Sequence, residues 1–182
     1  MAEASDPRIA YISVDIEASG PIPCEYSMLS IGACRAGDTD RSFYIELKPI
    51  SEKFTEEAMR VCGLDLQVLK ERGTEPHEAM RSFEEWIENA ADGRKPLFVG
   101  FNAGFDWQFV NYYFIRFLGR NPFGISCIDI KSVWFGKKNC RWGETAKVHM
   151  KRALNLNIPH THNALDDARE QAVVFERMLA SV

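Results

Sequence analysis

The chain has 182 residues and a net charge of −4, and 46% of its residues are hydrophobic and 26% charged. These values are typical of a globular protein with a sizeable core, and no stretch approaches the length that crosses a bilayer, so we expect a cytoplasmic protein that does not contact a membrane. The five cysteines are widely spaced, without a C-x-x-C pair, and indicate neither a disulfide framework nor a zinc site.

The first part of the chain predicts three strands joined by short connections. They cover Arg8 to Glu17, Met28 to Arg35 and Ser42 to Lys48, with the letters "AGDTD" as the turn between the last two. Short connections between neighbouring strands are typical of a β-meander. We therefore expect the sheet to begin with antiparallel strands.

Helices and two further strands follow along the chain. The predicted helices cover residues 54–62, 64–72, 76–90, 106–118, 145–154 and 163–179, and the predicted strands cover 96–101 and 125–130. This order predicts an α/β fold with a mixed five-stranded sheet, three antiparallel strands then parallel strands, flanked by helices. No repeat or shift in composition divides the chain, so we expect one domain over residues 1–182.

Two carboxylates lie on one face of the first predicted strand, in the letters "ISVDIEASG". Asp15 and Glu17 alternate with apolar residues, so both side chains project from the same face. An isolated pair of this kind is also typical of an exposed strand end that runs into a turn. The pair indicates a metal site only if carboxylates elsewhere in the chain share a cation with it.

A third carboxylate, Asp106, follows the fourth predicted strand in the letters "VGFNAGFDWQFV". It falls in the first turn of an apolar helix, where the helix dipole favours a negative charge. Asn102 and Gly104 supply a tight turn that would present Asp106 at the C-terminal edge of the sheet, where ligands bind in open α/β folds. A helix-start aspartate without a further role is the alternative.

The letters "PHTHNALDDAREQA" open the last predicted helix with a histidine and two aspartates. Asp167 is five positions after His162, and five steps of a helix turn about 140° past a full circle. The two side chains could not share a helix face, so His162 is expected in the preceding loop. Asn163 is the predicted N-cap, and Asp166 falls at the third helical position, where a capping acid is typical. Asp167 occupies the next position.

The segments "DIE", "NAGFD" and "HNALDD" together resemble the three motifs of the DEDDh exonucleases, the family of ribonuclease T, oligoribonuclease and bacterial proofreading subunits. The resemblance extends from about Ile9 to Met178, with the motifs in the family's order. It implies a ribonuclease H-like fold and 3′-to-5′ removal of nucleoside monophosphates. The implied metal ligands are Asp15, Glu17, Asp106 and Asp167, and the implied general base is His162.

Two positions depart from the common pattern of that family. Phe101 stands where many relatives have a histidine before the asparagine, which affects only local packing. Ser19 and Gly20 stand where many members have Thr-Gly, and the resemblance implies that this glycine lets the backbone approach the terminal nucleotide.

The chemistry of the four carboxylates leads to the same expectation. Grouped in one pocket they repel each other strongly, and hard oxygen ligands select Mg²⁺ or Mn²⁺. Two such ions are expected, with Asp15 bridging them and Asp106 acting through a water molecule. His162, with an ordinary pKa near 6.5, is expected to accept the proton of the attacking water.

The predicted substrate is the 3′ end of single-stranded RNA or DNA. Between Lys131 and Arg152 lie seven basic residues and one acidic residue, and Trp134, Phe135 and Trp142 are interleaved with them. These aromatic residues either stack on bases or anchor a loop of solvated charges. Met59 and Gly63 either form a wall against the terminal base or belong to the core. The residues predicted to contact the substrate are Ser19, Gly20, Met59, Gly63, Asn102, Lys137, Lys138 and Arg141.

The sequence therefore predicts a Mg²⁺- or Mn²⁺-dependent 3′-to-5′ exonuclease that releases nucleoside 5′-monophosphates. RNA is favoured over DNA, because the letters "HNALDDAREQ" are most similar to oligoribonuclease. A dinucleotide phosphodiesterase is one alternative, and a nucleic-acid-binding or protein-interaction module without catalysis is another. The sequence leaves both a monomer and a homodimer open.

Overall fold

The computed structural model describes residues 6–158 and 163–181, which fold around one five-stranded sheet. The strands are β1 Ile9–Ala18, β2 Met28–Arg35, β3 Asp38–Glu46, β4 Lys95–Gly100 and β5 Cys127–Asp129. The helices are α1 Glu56–Cys62, α2 Leu66–Arg72, α3 Pro76–Ala91, α4 Gly104–Leu118, α5 Ile130–Lys138, α6 Lys147–Ala153 and α7 Ala164–Ala180. A 3₁₀ turn, Trp142–Thr145, connects α5 to α6.

The sheet has the strand order β3-β2-β1-β4-β5, with β1 at its centre. Strands β1, β2 and β3 pair antiparallel, whereas β4 is parallel to β1 and β5 is parallel to β4. The predicted mixed sheet and its antiparallel start are therefore confirmed. Because β1, β4 and β5 run in the same direction, their C-terminal ends meet at one edge.

The two faces of β1 pack against different helices. Ile12, Val14 and Ile16 belong to the main core, which also contains the buried sides of α3 and α4. The opposite face lies against α7, where the Ser13 hydroxyl donates to the carbonyl oxygen of Ala168 over 2.8 Å. The side chain of Asp15 shares this second face, so the alternation in the sequence orients it correctly.

Three element boundaries differ from the predictions for local reasons. Helices α1 and α2 each begin two residues later, because Thr55 and Asp65 accept hydrogen bonds from the first turns as N-caps. Strand β3 begins at Asp38 rather than Ser42, because a tight turn with Gly37 at φ 88° returns the chain sooner.

Helix α5 was not predicted, and it occupies part of the basic stretch. Asp129 caps it by accepting from the backbone N–H of Ser132 over 3.1 Å, and Ile130 and Trp134 bury one side. Strand β5 is shorter than predicted, because Ile125 is 95% exposed and lies outside it. Within residues 6–158 and 163–181, no helix combines the length and apolar character needed to span a membrane.

Candidate active site

Three carboxylates meet beside the C-terminal end of β1. Asp15 and Glu17 project from that strand and Asp167 from the first turn of α7, and each offers an oxygen within 4.8 Å of the other two. Asn163 orients the helix, because its side chain accepts from the backbone N–H groups of Leu165 and Asp166 as the N-cap. The predicted capping thus places Asp167 where it meets the strand pair.

A glycine on β2 lets α7 approach this closely. Gly32 pairs with Asp15 in the sheet, and a Cβ atom at Gly32 would lie 2.1 Å from the carbonyl carbon of Ala164. The obstructing atoms are helix backbone, which cannot rotate away as a side chain would. The absence of a side chain at Gly32 therefore determines how near Asp167 comes to Asp15.

We expect Gly32→Ala to lower the activity predicted from the sequence by about 10²-fold, because a shift of about 1 Å in a reacting group has that effect. Overpacking of this kind also costs about 1–3 kcal/mol in unfolding free energy. The matched control is Gly136→Ala in α5, where an added Cβ meets nothing within 4 Å. Wild-type activity in Gly32→Ala would contradict the inferred contact between α7 and β2.

Asp106, in the first turn of α4, is the fourth carboxylate of the site. Its Oδ1 accepts from the backbone N–H of Ile16, the residue between Asp15 and Glu17, over 3.1 Å. The turn before α4 is held by Asp129, whose Oδ1 accepts from the N–H of Ala103 over 3.2 Å. Asp106 is only 4% exposed. The predicted tight turn thus delivers a buried carboxylate to the backbone of β1.

The charged forms of Asp15, Glu17 and Asp106 are disfavoured at this site. Burial, and then the charges of Asp106, Asp167 and Glu17, raise the pKa of Asp15 well above its ordinary value. Burial and the charges of Asp167 and Asp106 raise the pKa of Glu17 to about 7. Burial raises the pKa of Asp106 to about 7, although the hydrogen bond from Ile16 opposes the change. This arrangement is suited to cations, which would stabilise all four charged forms.

Gln171 is a site residue that sequence reasoning missed. Its amide nitrogen donates to Oδ1 of Asp15, and its Oε1 accepts from the backbone N–H of Phe101 over 2.8 Å. The two partners fix the orientation of the amide group, which is 1% exposed. The available signal was its position one helical turn beyond Asp167, on the same face of α7.

A partly buried ion-pair cluster lies near the carboxylates. Glu170 of α7 binds Lys147 over 3.0 Å and Lys151 over 2.6 Å. The Lys147 charge lowers the pKa values of Asp15 and Asp106, although the effects described above outweigh it. Lys151 also donates to the carbonyl oxygen of Ile158 over 2.7 Å. The predicted base His162 lies outside the described residues.

The predicted contacts to the terminal nucleotide lie in loops beside β1. Ser19 is buried, and its hydroxyl donates to the carbonyl oxygen of Lys53 while accepting from the N–H of Ser27. A Cβ at Gly20 would meet the ring of Tyr26 at 2.2 Å, so internal packing already requires a glycine there. Contact of Ser19 and Gly20 with a nucleotide stays a prediction.

The other predicted nucleotide contacts have structural explanations of their own. Met59 is half-buried and packs with Leu29 and Leu69, which belong to a small core cluster. Gly63 ends α1 at φ 65°, and Asn102 adopts φ 63° in the turn before α4. Gly63 and Asn102 are exposed. Their contact with substrate stays a prediction.

The basic residues predicted to bind a strand lie on α5 and just after it. Lys137 donates to the carbonyl oxygen of Leu179 over 3.5 Å, and the Lys138 ammonium lies 5.4 Å from the centre of the Trp134 ring. Arg141 is exposed at the start of the 3₁₀ turn, where its backbone N–H donates to Glu144 over 2.7 Å. The aromatic ring of Trp134 is buried, so it anchors α5.

Comparison with known proteins adds independent information. A protein-family model described as RNase_T, exonuclease, matches residues 12–175. The 3′-5′ DNA exonuclease Cap18 of Escherichia coli is 48% identical over 166 residues, which cover 91% of this chain and 89% of that protein. The PolC-type DNA polymerase III of Thermotoga petrophila is 22% identical over 182 residues, covering 97% of this chain but 12% of the polymerase.

Solved structures share the fold at low sequence identity. The nuclease domain of 3′hExo, a DEDDh family member bound to rAMP, has a TM-score of 0.73 at 16% identity, covering 94% of this chain and 91% of that one. Exonuclease I of E. coli in complex with a dT13 oligonucleotide has a TM-score of 0.70 at 15% identity, and the match covers 90% of this chain and 39% of that one. The ribonuclease H-like fold predicted from the motifs is confirmed, and the chain belongs to the RNase_T exonuclease family.

Proposed function

We propose that this chain is a divalent-metal-dependent exonuclease that removes nucleoside 5′-monophosphates from the 3′ ends of single-stranded DNA. The observation that carries the proposal is the grouping of Asp15, Glu17 and Asp167 oxygens within 4.8 Å at the position of the family's motifs. Asp106 adds a fourth carboxylate through its contact with Ile16. A module that only binds nucleic acid would not need this grouping.

The donor set fits hard divalent cations. Carboxylate oxygens are the ligands that Mg²⁺ and Mn²⁺ prefer. Burial raises the pKa values of Asp15, Glu17 and Asp106, repulsion between carboxylates adds to the effect at Asp15 and Glu17, and bound cations would offset both causes. We assign the metal ions to these three residues and Asp167. When bound, they would supply charge neutralisation at the scissile phosphate, which allows a nucleophile to approach an anion.

The protein's own groups then position the reactants. Gln171 holds the Asp15 carboxylate in one orientation, and the N–H of Ile16 does the same for Asp106. In the hydrolysis, the oxygen of a water molecule forms a bond to phosphorus as the bond from phosphorus to the 3′ oxygen breaks. We assign His162 as the base that accepts the proton of this water, as the resemblance implies.

We propose DNA as the preferred substrate because the 48% identical relative is named a DNA exonuclease. The sequence motif alone favoured RNA through its similarity to oligoribonuclease, so the two indications differ. A match over 91% of this chain carries more information about the whole surface than a segment of ten residues. RNA is therefore the second arm of the test.

The test compares DNA and RNA strands of identical sequence, about twenty nucleotides long and labelled at the 5′ end, with Mg²⁺, Mn²⁺ or EDTA. We expect a ladder of products shortened from the 3′ end, faster for DNA, and no cleavage in EDTA. Faster cleavage of RNA would overturn the DNA assignment. No shortening of either strand with metal would overturn the enzymatic proposal, and cleavage of dinucleotides alone would identify a dinucleotide phosphodiesterase.

The raised pKa values predict how metal and pH act on stability. Glu17 and Asp106 have ordinary pKa values of 4.5 and 3.8, and both rise to about 7 in the folded protein. The folded state therefore binds more protons than the unfolded state across this range, and the metal-free protein loses stability as the pH rises through about 7. Bound metal would stabilise the charged carboxylates and so offset this loss.

We expect the increase in Tm caused by Mg²⁺ or Mn²⁺ to be larger at about pH 8 than at about pH 5, because protons compete with the metal at the lower pH. Thermal melts with metal and with EDTA at each pH give the difference in Tm. The contributions of other titrating groups largely cancel in this difference, because both melts are recorded at the same pH. Sodium chloride of equal ionic strength is the control. An equal increase at both pH values would contradict the assignment of these carboxylates as ligands.

A further inference from the structure

A partly exposed surface of aromatic rings and a lysine begins beside the active site. We define it as the aromatic–lysine surface, formed by Phe101, Lys131, Phe135 and Trp142. We propose that it binds the nucleotides upstream of the 3′ terminus of a single strand, with bases stacked on its rings and a phosphate at Lys131. This inference rests on the proposed function and specifies the path of its substrate.

Direct contacts join the members of the surface. The Lys131 ammonium lies 4.8 Å from the centre of the Trp142 ring and 5.9 Å from that of Phe101. Phe135 follows Lys131 by one helical turn, and its ring centre lies 5.8 Å from that of Trp142 at an interplanar angle of 71°. The four side chains therefore form one continuous surface along α5 and the 3₁₀ turn.

Two of the three rings are presented to solvent although they are apolar. Trp142 is 54% exposed and Phe135 is 44% exposed. Trp142 is held there by its backbone, because the Thr145 hydroxyl donates to its carbonyl oxygen over 2.7 Å. Helix α5 is anchored from its other side by the buried ring of Trp134. A rigid exposed ring pair is well suited to stacking, since little freedom is lost when a base binds.

The surface is connected to the catalytic carboxylates through one side chain. The backbone N–H of Phe101 donates to Gln171 over 2.8 Å, and the same amide group donates to Asp15. The Phe101 ring also lies 5.2 Å from the Lys147 ammonium, whose charge reaches Asp15 and Asp106. A strand whose 3′ end lies at Asp15 therefore meets Phe101 before the rest of the surface.

The charge of Lys131 is available to a ligand. Within residues 6–158 and 163–181, no carboxylate lies within 4.0 Å of its ammonium group, whereas the ammonium of Lys147 is paired with Glu170. An available cation between exposed rings is the arrangement that binds single strands with little sequence preference. A duplex would cover its bases and leave the rings without a partner.

Lys137 lies far from the carboxylates along α7. Lys137 contacts the carbonyl oxygen of Leu179 near the end of α7, whereas Asp167 lies near its beginning. Twelve residues of helix separate the two positions, which is about 18 Å. Lys131 therefore acts on strands of a few nucleotides, and Lys137 is reached only by longer ones.

The experiment measures kcat/KM for thymidine oligomers of two and about twelve nucleotides. The readout is kcat/KM for the longer oligomer divided by kcat/KM for the shorter one. Stacking of one base is worth about ten-fold in binding, so Trp142→Ala should lower the ratio by about ten-fold, and Trp142→Phe should restore most of it. Lys131→Gln should reduce the slope of log kcat/KM against log salt for the longer strand by about 0.7.

Lys95→Gln is the matched charge control, because Lys95 lies at the opposite end of β4 from the active site. A wild-type ratio in Trp142→Ala, or an equal loss on both oligomers, would overturn the inference while cleavage by the wild-type protein leaves the proposed function intact. If Lys95→Gln changes the salt slope as much as Lys131→Gln does, the effect reflects the overall charge of the protein. That result would overturn the proposed phosphate contact at Lys131. If the wild-type protein cleaves neither oligomer, the proposed function itself fails.

Discussion

Replacing Asp15 with asparagine is expected to lower kcat by several orders of magnitude, with Asp167→Asn having a similar effect. Both residues offer oxygens within 4.8 Å of each other and of Glu17, so each change removes an anionic ligand from the proposed metal centre. An asparagine keeps the size of the side chain, and its amide can still accept a hydrogen bond. The loss therefore reports charge and metal affinity rather than a cavity.

The same substitutions are expected to leave Tm unchanged or to raise it when metal is absent. Burial, and then the charges of three neighbouring carboxylates, raise the pKa of Asp15, which means that its charged form destabilises the folded protein. Asp166→Asn is the matched control, because Asp166 is an exposed neighbour on the same helix turn. Steady-state kinetics and thermal melts in EDTA measure the two effects. Full activity in Asp15→Asn would exclude the proposed metal centre.

The three segments that carry the carboxylates could be predicted because each depends on short-range rules. Period-two alternation orients Asp15 and Glu17, and the N-cap Asn163 determines where α7 begins and hence where Asp167 lies. Asp106 follows a strand and a tight turn in the expected way. The antiparallel start of the sheet was predictable for the same reason, since neighbouring strands with short connections pair with each other.

The features that bring these segments together could not be read from local patterns. Nothing in the letters around Gly32 shows that the backbone of Ala164 passes 2.1 Å from the place of a Cβ atom. The bridge from Gln171 to Asp15 joins residues 156 positions apart, and it depends on the packing of α7 against β1. Local information predicted the chemical groups, whereas tertiary packing determined their partners.

Helix α5 escaped prediction because its apolar and basic residues resemble a charged loop. Only Ile130 and Trp134 are buried along it, and its cap depends on Asp129, which also holds the turn before α4. The sequence left open whether Trp134, Phe135 and Trp142 stack on bases or anchor a loop. The structure divides them, because Trp134 is buried and the other two rings are exposed.

His162→Ala is expected to lower kcat by about 10²–10⁴-fold, the usual contribution of a general base. His162 directly precedes the N-cap Asn163 in the sequence and lies outside the described residues, so the assignment rests on the motif that it shares with Asp167. The change leaves all four carboxylates in place. We therefore expect the metal concentration for half-maximal activity to stay near the wild-type value, and His160→Ala to retain wild-type activity.

The pH dependence of the rate separates the histidine from the carboxylates. A base with a pKa near 6.5 gives a rate that rises with pH and then levels off, and this rise should be absent from the residual activity of His162→Ala. The pKa values of Glu17 and Asp106 are about 7 without metal. These two carboxylates would therefore produce a similar rise in rate if metal ions occupied the site only partly. Saturating Mg²⁺ suppresses their contribution, because protons cannot compete with an excess of cation. A rise that persists in His162→Ala at saturating metal, together with a large loss in His160→Ala, would identify His160 as the base instead.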